Sequence, residues 1–202
     1  MKNMIRSSTS SCQRHWILAG CMFFCSLLTL IGPVWAELKS GPEAGVVVAG
    51  FKTIAVTGEL AKTPAEEIDY LKARTDRTTV FLFVSAENFQ RPIARYLKTL
   101  DKSITDGIDG VANVEAVAVW LTDDVQKSKD YLPLAQKSLS FEHTALTVFP
   151  GAKQGPDGWG LDTEAHLTTV IVRGGKAVAS FAYRSTNETD IPAVLLALKK
   201  KP

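Results

Sequence analysis

Thr79-Val80-Phe81-Leu82-Phe83-Val84 runs directly into Ser85-Ala86-Glu87-Asn88-Phe89-Gln90-Arg91-Pro92. Its first six residues are almost continuously apolar and rich in β-branched and aromatic side chains. That composition predicts an interior strand buried on both faces, as parallel sheets require. Beyond it, Phe89, Ile93, Tyr96, Leu97, Leu100 and Ile104 recur with helical spacing and predict a helix over Asn88–Ile104. Pro92 lacks a backbone N–H and fits there only in the first turn.

Working outward, Val114–Leu121 is a second strand of the buried type. Thr122 then serves as an N-cap, with Asp123 and Asp124 favouring the positive end of a helix that reaches about Leu139. Pro133 must start or kink part of that segment. Thr144–Phe149 is a third, short strand, and Pro150–Leu161 is a Gly-Pro loop. Leu167–Val172 and Ala177–Tyr183 flank Gly174-Gly175, a β-hairpin signal. Asp190-Ile191-Pro192 opens a last helix to about Leu198, with Lys199-Lys200-Lys201 at its negative end. Upstream, Val46–Ala49 and Thr53–Thr57 predict an N-terminal hairpin around Gly50-Phe51-Lys52. Thr63-Pro64-Ala65-Glu66 predicts a capping box for a helix to about Ala73. The two β-to-α-to-β steps imply a parallel core with right-handed crossovers.

From Thr79 to the C-terminus this order resembles the thioredoxin-like superfamily, and within it the secreted redoxin branch of peroxiredoxin-like and TlpA-like proteins. The resemblance rests on Val80–Val84 entering the helix near Asn88, on the strand–turn–strand Leu167–Val178, and on the hairpin ahead of the core. It implies a thioredoxin-like three-layer α/β/α sandwich with a mixed sheet and an N-terminal β-hairpin extension. The expected organisation is a leader over 1–36, a polar linker over 37–45, and one domain over 46–202 with its core at 79–200. The redox motif of that family does not carry over. Its Cys-x-x-Cys position holds Ser85–Arg91, the upstream stretch Glu67–Leu71 has no sulfur, and Leu167 stands where the family has its cis-proline.

The 202 residues are 46% hydrophobic and 22% charged, with a net charge of +2, which excludes a disordered or low-complexity chain. The first 36 residues hold Lys2, Arg6 and Arg14 with no acid, followed by the apolar run Trp16–Ile31 and Val34-Trp35-Ala36. This is the layout of a secretory signal cleaved after Ala36. The run has 16 residues, short of the roughly 20 a spanning helix needs, so an uncleaved anchor is the alternative. Either way the expected location is exported, periplasmic or extracellular. Cys12, Cys21 and Cys25 all lie in this leader. The mature chain then has no thiolate for dithiol exchange, peroxide reduction or metal ligation.

The remaining candidates are few. Ser85 at the strand end reads first as a helix cap and only second as a nucleophile, since the mature chain offers just His143 and His166 as bases. Asp162, Glu164 and His166 alternate, so on a strand they would share one face; with Asp157, His143 or Glu142 they are a weak metal set. The expected binding surface is Ser85, Glu87, Asn88 and Phe89 with His166, Leu167 and Trp159, near the carboxyl ends of the parallel strands. Trp159 reads alternatively as folding back to cover the sheet edge. The partner is expected to be a protein or small molecule of the envelope, with no cofactor. The three lysines at the C-terminus are too few for a nucleic-acid footprint. A non-thiol enzyme using Glu87, His143 and His166, and a purely structural envelope component, are the alternatives.

Overall fold

The computed structural model describes residues 38–61 and 66–200. The leader and its cleavage site, and Thr63, Pro64 and Ala65 of the expected capping box, lie outside the described residues. At the sheet centre β3 (Thr78–Ser85) runs parallel to β4 (Val114–Leu121), with Val80 opposite Ala116. Next, β4 runs parallel to β5 (Thr144–Val148), with Ala118 opposite Leu146. On the other side β6 (Leu167–Arg173) is antiparallel to β3, and β7 (Lys176–Tyr183) is antiparallel to β6. Outside β5 lie β1 (Thr53–Ala55) and then β2 (Glu67–Ile68), giving the mixed order β2-β1-β5-β4-β3-β6-β7.

Side chains alternate across a strand, so the interior runs divide between two cores. Val80, Leu82, Val84, Ala116, Ala118, Trp120 and Leu146 face one side. There they meet α2 (Arg91–Thr105), α3 (Val125–Leu139) and α4 (Ile191–Leu198). Two successive right-handed crossovers moving the same way across a sheet put both helices on one face. Phe81, Phe83, Val117, Val119, Val170 and Val172 face the other side. That side is covered by the short α1 (Tyr70–Ala73), by Phe51 and by the loop from β5 to β6.

Several local expectations change. The N-terminal hairpin exists, but it joins β1 to β2. Val46–Ala49 instead runs beside the β6–β7 turn, where Val48 donates to the Gly175 carbonyl. Burial of Phe51 against Phe81, Phe83 and Trp159 carries the chain across the sheet between the two sites. The expected linker is also tied down: Ser40 is buried, with its hydroxyl 2.6 Å from Thr168 Oγ1. Asp69 caps α1 by accepting from the Leu71 and Lys72 N–H groups, and Glu67 is in a strand where a helix was expected. Asp124 caps α3, accepting the Lys127 N–H at 2.9 Å, while Thr122 accepts from Asp124 one step outside the helix. Pro92 sits in the first turn of α2, as its missing N–H demands.

Candidate functional site

The β3–α2 junction is a tight 3₁₀ turn over Ala86–Asn88. The Ser85 N–H donates to the His166 carbonyl at 3.0 Å, and the Asn88 side-chain amide donates to Ser85 Oγ at 3.0 Å. Ser85 therefore does not cap α2. That position belongs to Gln90, which is extended and makes no side-chain cap bond. An amide donor cannot take the Ser85 proton, so this contact does not make Ser85 a nucleophile.

Glu87 projects into solvent. Lys153 Nζ lies 3.5 Å from Glu87 and 2.9 Å from Asp123, pinning the loop after β5 to the junction. Asp123 first and Glu87 second raise the Lys153 pKa above its ordinary value. Phe89 is half-buried, its ring 5.0 Å from Trp120 and 6.3 Å from Tyr131, whose own ring is exposed. His166, half-buried, donates its backbone N–H to the Tyr183 carbonyl at 2.8 Å. Ser85, Glu87, Asn88, Phe89 and His166 thus gather at the carboxyl end of β3.

Trp159 and Leu167 are wholly buried and offer no contact surface. Trp159 is a keystone of the second core. Its indole N–H donates to the Ala49 carbonyl at 3.0 Å, and its ring packs edge-on against Phe51, Phe81 and Phe83. Trp159 thus covers the sheet over its central strand β3, and not over an edge as the alternative reading had it.

The weak metal set does not assemble. Residues 162–166 form a turn and not a strand: Asp162 Oδ1 accepts the Glu164 N–H, and the Asp162 carbonyl accepts from Ala165. Alternation there cannot put three side chains on one face. His143 precedes β5 at the level of Thr79, six residues from the Ser85 end of the sheet. That is about 20 Å along the strands. Glu87, His143 and His166 therefore do not meet in one site. Among the described residues no three His, Cys, Asp or Glu side chains form a metal-holding group.

Two cavities of interest lie elsewhere. One open groove of about 790 Å³ runs between β7, α4 and residues 38–44. A smaller cavity of about 170 Å³ at the amino ends of β4 and β5 touches Tyr70, Arg74, Arg77, Glu115 and His143. Neither is lined by Ser85–Gln90. The carboxyl end of β3 thus presents an exposed surface with one aromatic shelf.

Sequence reasoning missed an ionic cluster built around the buried Arg74 and Glu115 beside the smaller cavity. Arg74 donates to Glu59 at 2.9 Å and approaches Glu115 at 3.5 Å, and Arg77 approaches Glu115 at 3.6 Å. Burial raises the Glu115 pKa, against the pull of Arg74 and Arg77, and pushes the Tyr70 phenol up to about 12. Arg74 and Glu115 are 41 residues apart, and no local pattern signals such a pair.

No family model matches the chain, and no curated protein matches it in sequence. Solved structures do. A Bacteroides thetaiotaomicron protein described as a candidate protein disulfide isomerase is 15% identical with a TM-score of 0.56, over 81% of this chain and 96% of that one. Yeast mitochondrial 1-Cys peroxiredoxin is 15% identical with a TM-score of 0.54, over 76% of this chain and 73% of its own. A Chlorobium tepidum protein described as a candidate thiol:disulfide interchange protein DsbE is 16% identical with a TM-score of 0.52, over 77% of this chain and 98% of its own. Identities this low carry the architecture and not the activity. The mixed sheet centred on β3, with α2 leaving its carboxyl end and the β6–β7 hairpin on its other side, is a thioredoxin-like fold.

Proposed function

We propose that this chain is an exported thioredoxin-like protein that binds a protein partner in the cell envelope and performs no thiol chemistry. The observation that carries the reading is compositional: every cysteine, Cys12, Cys21 and Cys25, precedes Ala36, and residues 37–202 contain no sulfur. A thiolate is the nucleophile of disulfide exchange and peroxide reduction, and no serine or carboxylate replaces it. The strand-to-helix junction that would present a redox motif carries Ser85–Arg91 in its place. A protein partner suits the exposed form of that surface. Glu87, Asn88 and His166 supply polar contacts, and Phe89 with Tyr131 supplies an aromatic anchor of the kind that dominates interface energies. Leu167, opposite Val84 in the sheet, lies buried beneath this end of β3.

The test uses protein recovered from the exporting cell. Mass spectrometry should find the chain beginning at Glu37, and insulin reduction and peroxide consumption should both stay at the uncatalysed rate. Turnover in either assay rejects the redox-inactive reading. A photo-crosslinker placed at Asn88 should give a discrete protein adduct in the envelope, and one at Asn113, at the far end of the sheet, should give none. Equal labelling from both positions rejects the surface.

A further inference from the structure

The outer edge of β7 is covered only where the strand begins. Gly45 donates to the Ala177 carbonyl at 2.7 Å, Ala177 donates to the Val46 carbonyl at 2.9 Å, and Val47 bridges Lys176. From Val178 to Tyr183 no strand or loop among the described residues takes up the outer backbone groups. Ser180 holds the overlying segment through its hydroxyl, which donates to the Pro42 carbonyl.

Sheet edges are normally guarded by charges, prolines or bulges, because a bare edge templates pairing with another chain. Here the guards stand at one end. The bulge falls at Ile171/Val172, and Lys176 lies beside it. The rest, Ala177-Val178-Ala179-Ser180-Phe181-Ala182-Tyr183, has neither charge nor proline. This edge is the floor of the 790 Å³ groove, walled by residues 38–44 on one side and by Ala193, Leu196 and Ala197 of α4 on the other. Leu196 is 66% exposed. Ala179, Phe181 and Tyr183 lean toward the helical core, and Ser180 leans toward Gly41 and Pro42, so the floor alternates between two walls.

We propose that this groove accepts an extended segment of a partner protein as an eighth strand, apolar in its middle and acidic at its ends. Main-chain hydrogen bonds to an open edge give such a segment its affinity, and the alternating walls give it register. The acidic ends follow from charge. Lys39 and Lys200 line the groove and Lys176 and Arg184 bracket β7, against Glu43 in the lining and Glu164 beside Arg184. A second copy of the chain is a poor occupant. Antiparallel self-pairing centred on Ser180 sets Lys176 opposite Arg184 of the copy, and like charges directly opposite are destabilising. The groove is separate from the Ser85–Phe89 surface, and this inference does not depend on that one.

Two synthetic nonapeptides test it on the exported protein. Both carry the same alternating Val-Thr core; one has two glutamates at each end and the other two lysines. In fluorescence anisotropy the acidic peptide should bind at least tenfold more tightly. Hydrogen exchange should show new amide protection within Val178–Tyr183. The double variant Lys39→Glu with Lys200→Glu should erase the preference while its circular dichroism stays unchanged. Equal affinity for the two peptides, no binding of either, or protection confined elsewhere overturns the proposal. A peptide-free dimer in sedimentation with Val178–Tyr183 already protected also overturns it, in favour of a second copy.

Discussion

The Asp101 carboxylate on α2 accepts the backbone N–H of His143 at 2.9 Å, fixing the helix to the turn that launches β5. The same group accepts the Glu142 N–H at 2.9 Å and the Thr144 hydroxyl at 2.7 Å. Asp101 is only 4% exposed, so its three donors have no ready replacement in water. Hydrogen bonds to a buried charge are worth more than neutral ones, and orphaned donors add their desolvation cost. Asp101→Ala should therefore lose about 3 kcal/mol of stability and Asp101→Asn roughly half of that. Urea unfolding measures both; an Ala variant within 1 kcal/mol of the parent, about the value of one ordinary bond, contradicts the assignment.

Trp159 gives a prediction of a different kind, since it was expected at a binding surface and lies in a core. Trp159→Ala removes its packing against Phe51, Phe81 and Phe83 and should cost about 3–5 kcal/mol. Trp159→Phe keeps most of the packing but orphans the Ala49 carbonyl and should cost about 1–2 kcal/mol. Chemical denaturation separates the two. An Ala variant as stable as the parent, with a changed partner adduct at Asn88, would return Trp159 to the surface role.

The contrast shows what the sequence made legible. Long apolar runs such as Val80–Val84 and Val114–Leu121 announced buried strands, because full burial on two faces is itself a compositional demand. The Gly174-Gly175 turn and Pro92 announced their places because each restricts backbone geometry locally; Gly174 and Gly175 both take positive φ, at 55° and 74°. Trp159, Asp101 and Arg74 acquired their roles through partners distant in sequence, 110 residues away for Trp159. The candidate surface was legible only as an address, the end of β3, and its side-chain order was not. The alternation of Asp162, Glu164 and His166 misled because an aspartate that binds the N–H two residues on makes a turn and not a strand.

Arg173 takes over a task expected of the terminal lysines. From β6 it donates through Nη2 to the Leu198 carbonyl at 2.7 Å and through Nη1 to the Lys200 carbonyl at 2.8 Å. Its Nε donates to Thr78 Oγ1 at 3.0 Å, so one planar fork closes α4 onto the sheet. Arg173→Met should cost about 1.5 kcal/mol, and Arg173→Lys, which cannot reproduce the fork, more than half of that. Limited proteolysis should release the C-terminal segment first in both variants. A lysine variant indistinguishable from the parent would show that charge alone suffices.

Glu115 supplies a pH dependence. Burial raises its pKa in the folded chain, with Arg74 the largest opposing influence and Arg77 the next. Between the ordinary glutamate value and the raised one, the folded state holds more protons than the unfolded state. Its contribution to stability therefore falls as pH rises through that window. Arg74→Met removes the stronger restraint, lifting the Glu115 pKa further and extending the window upward. Relative to the parent, that variant should lose stability more steeply as pH rises above the ordinary glutamate range. Arg74→Met combined with Glu115→Gln should lose the extra slope, because no proton is left to exchange. Urea midpoints taken across this range read the slopes directly. Parallel profiles for parent and Arg74→Met would falsify the ionic coupling of these two buried side chains.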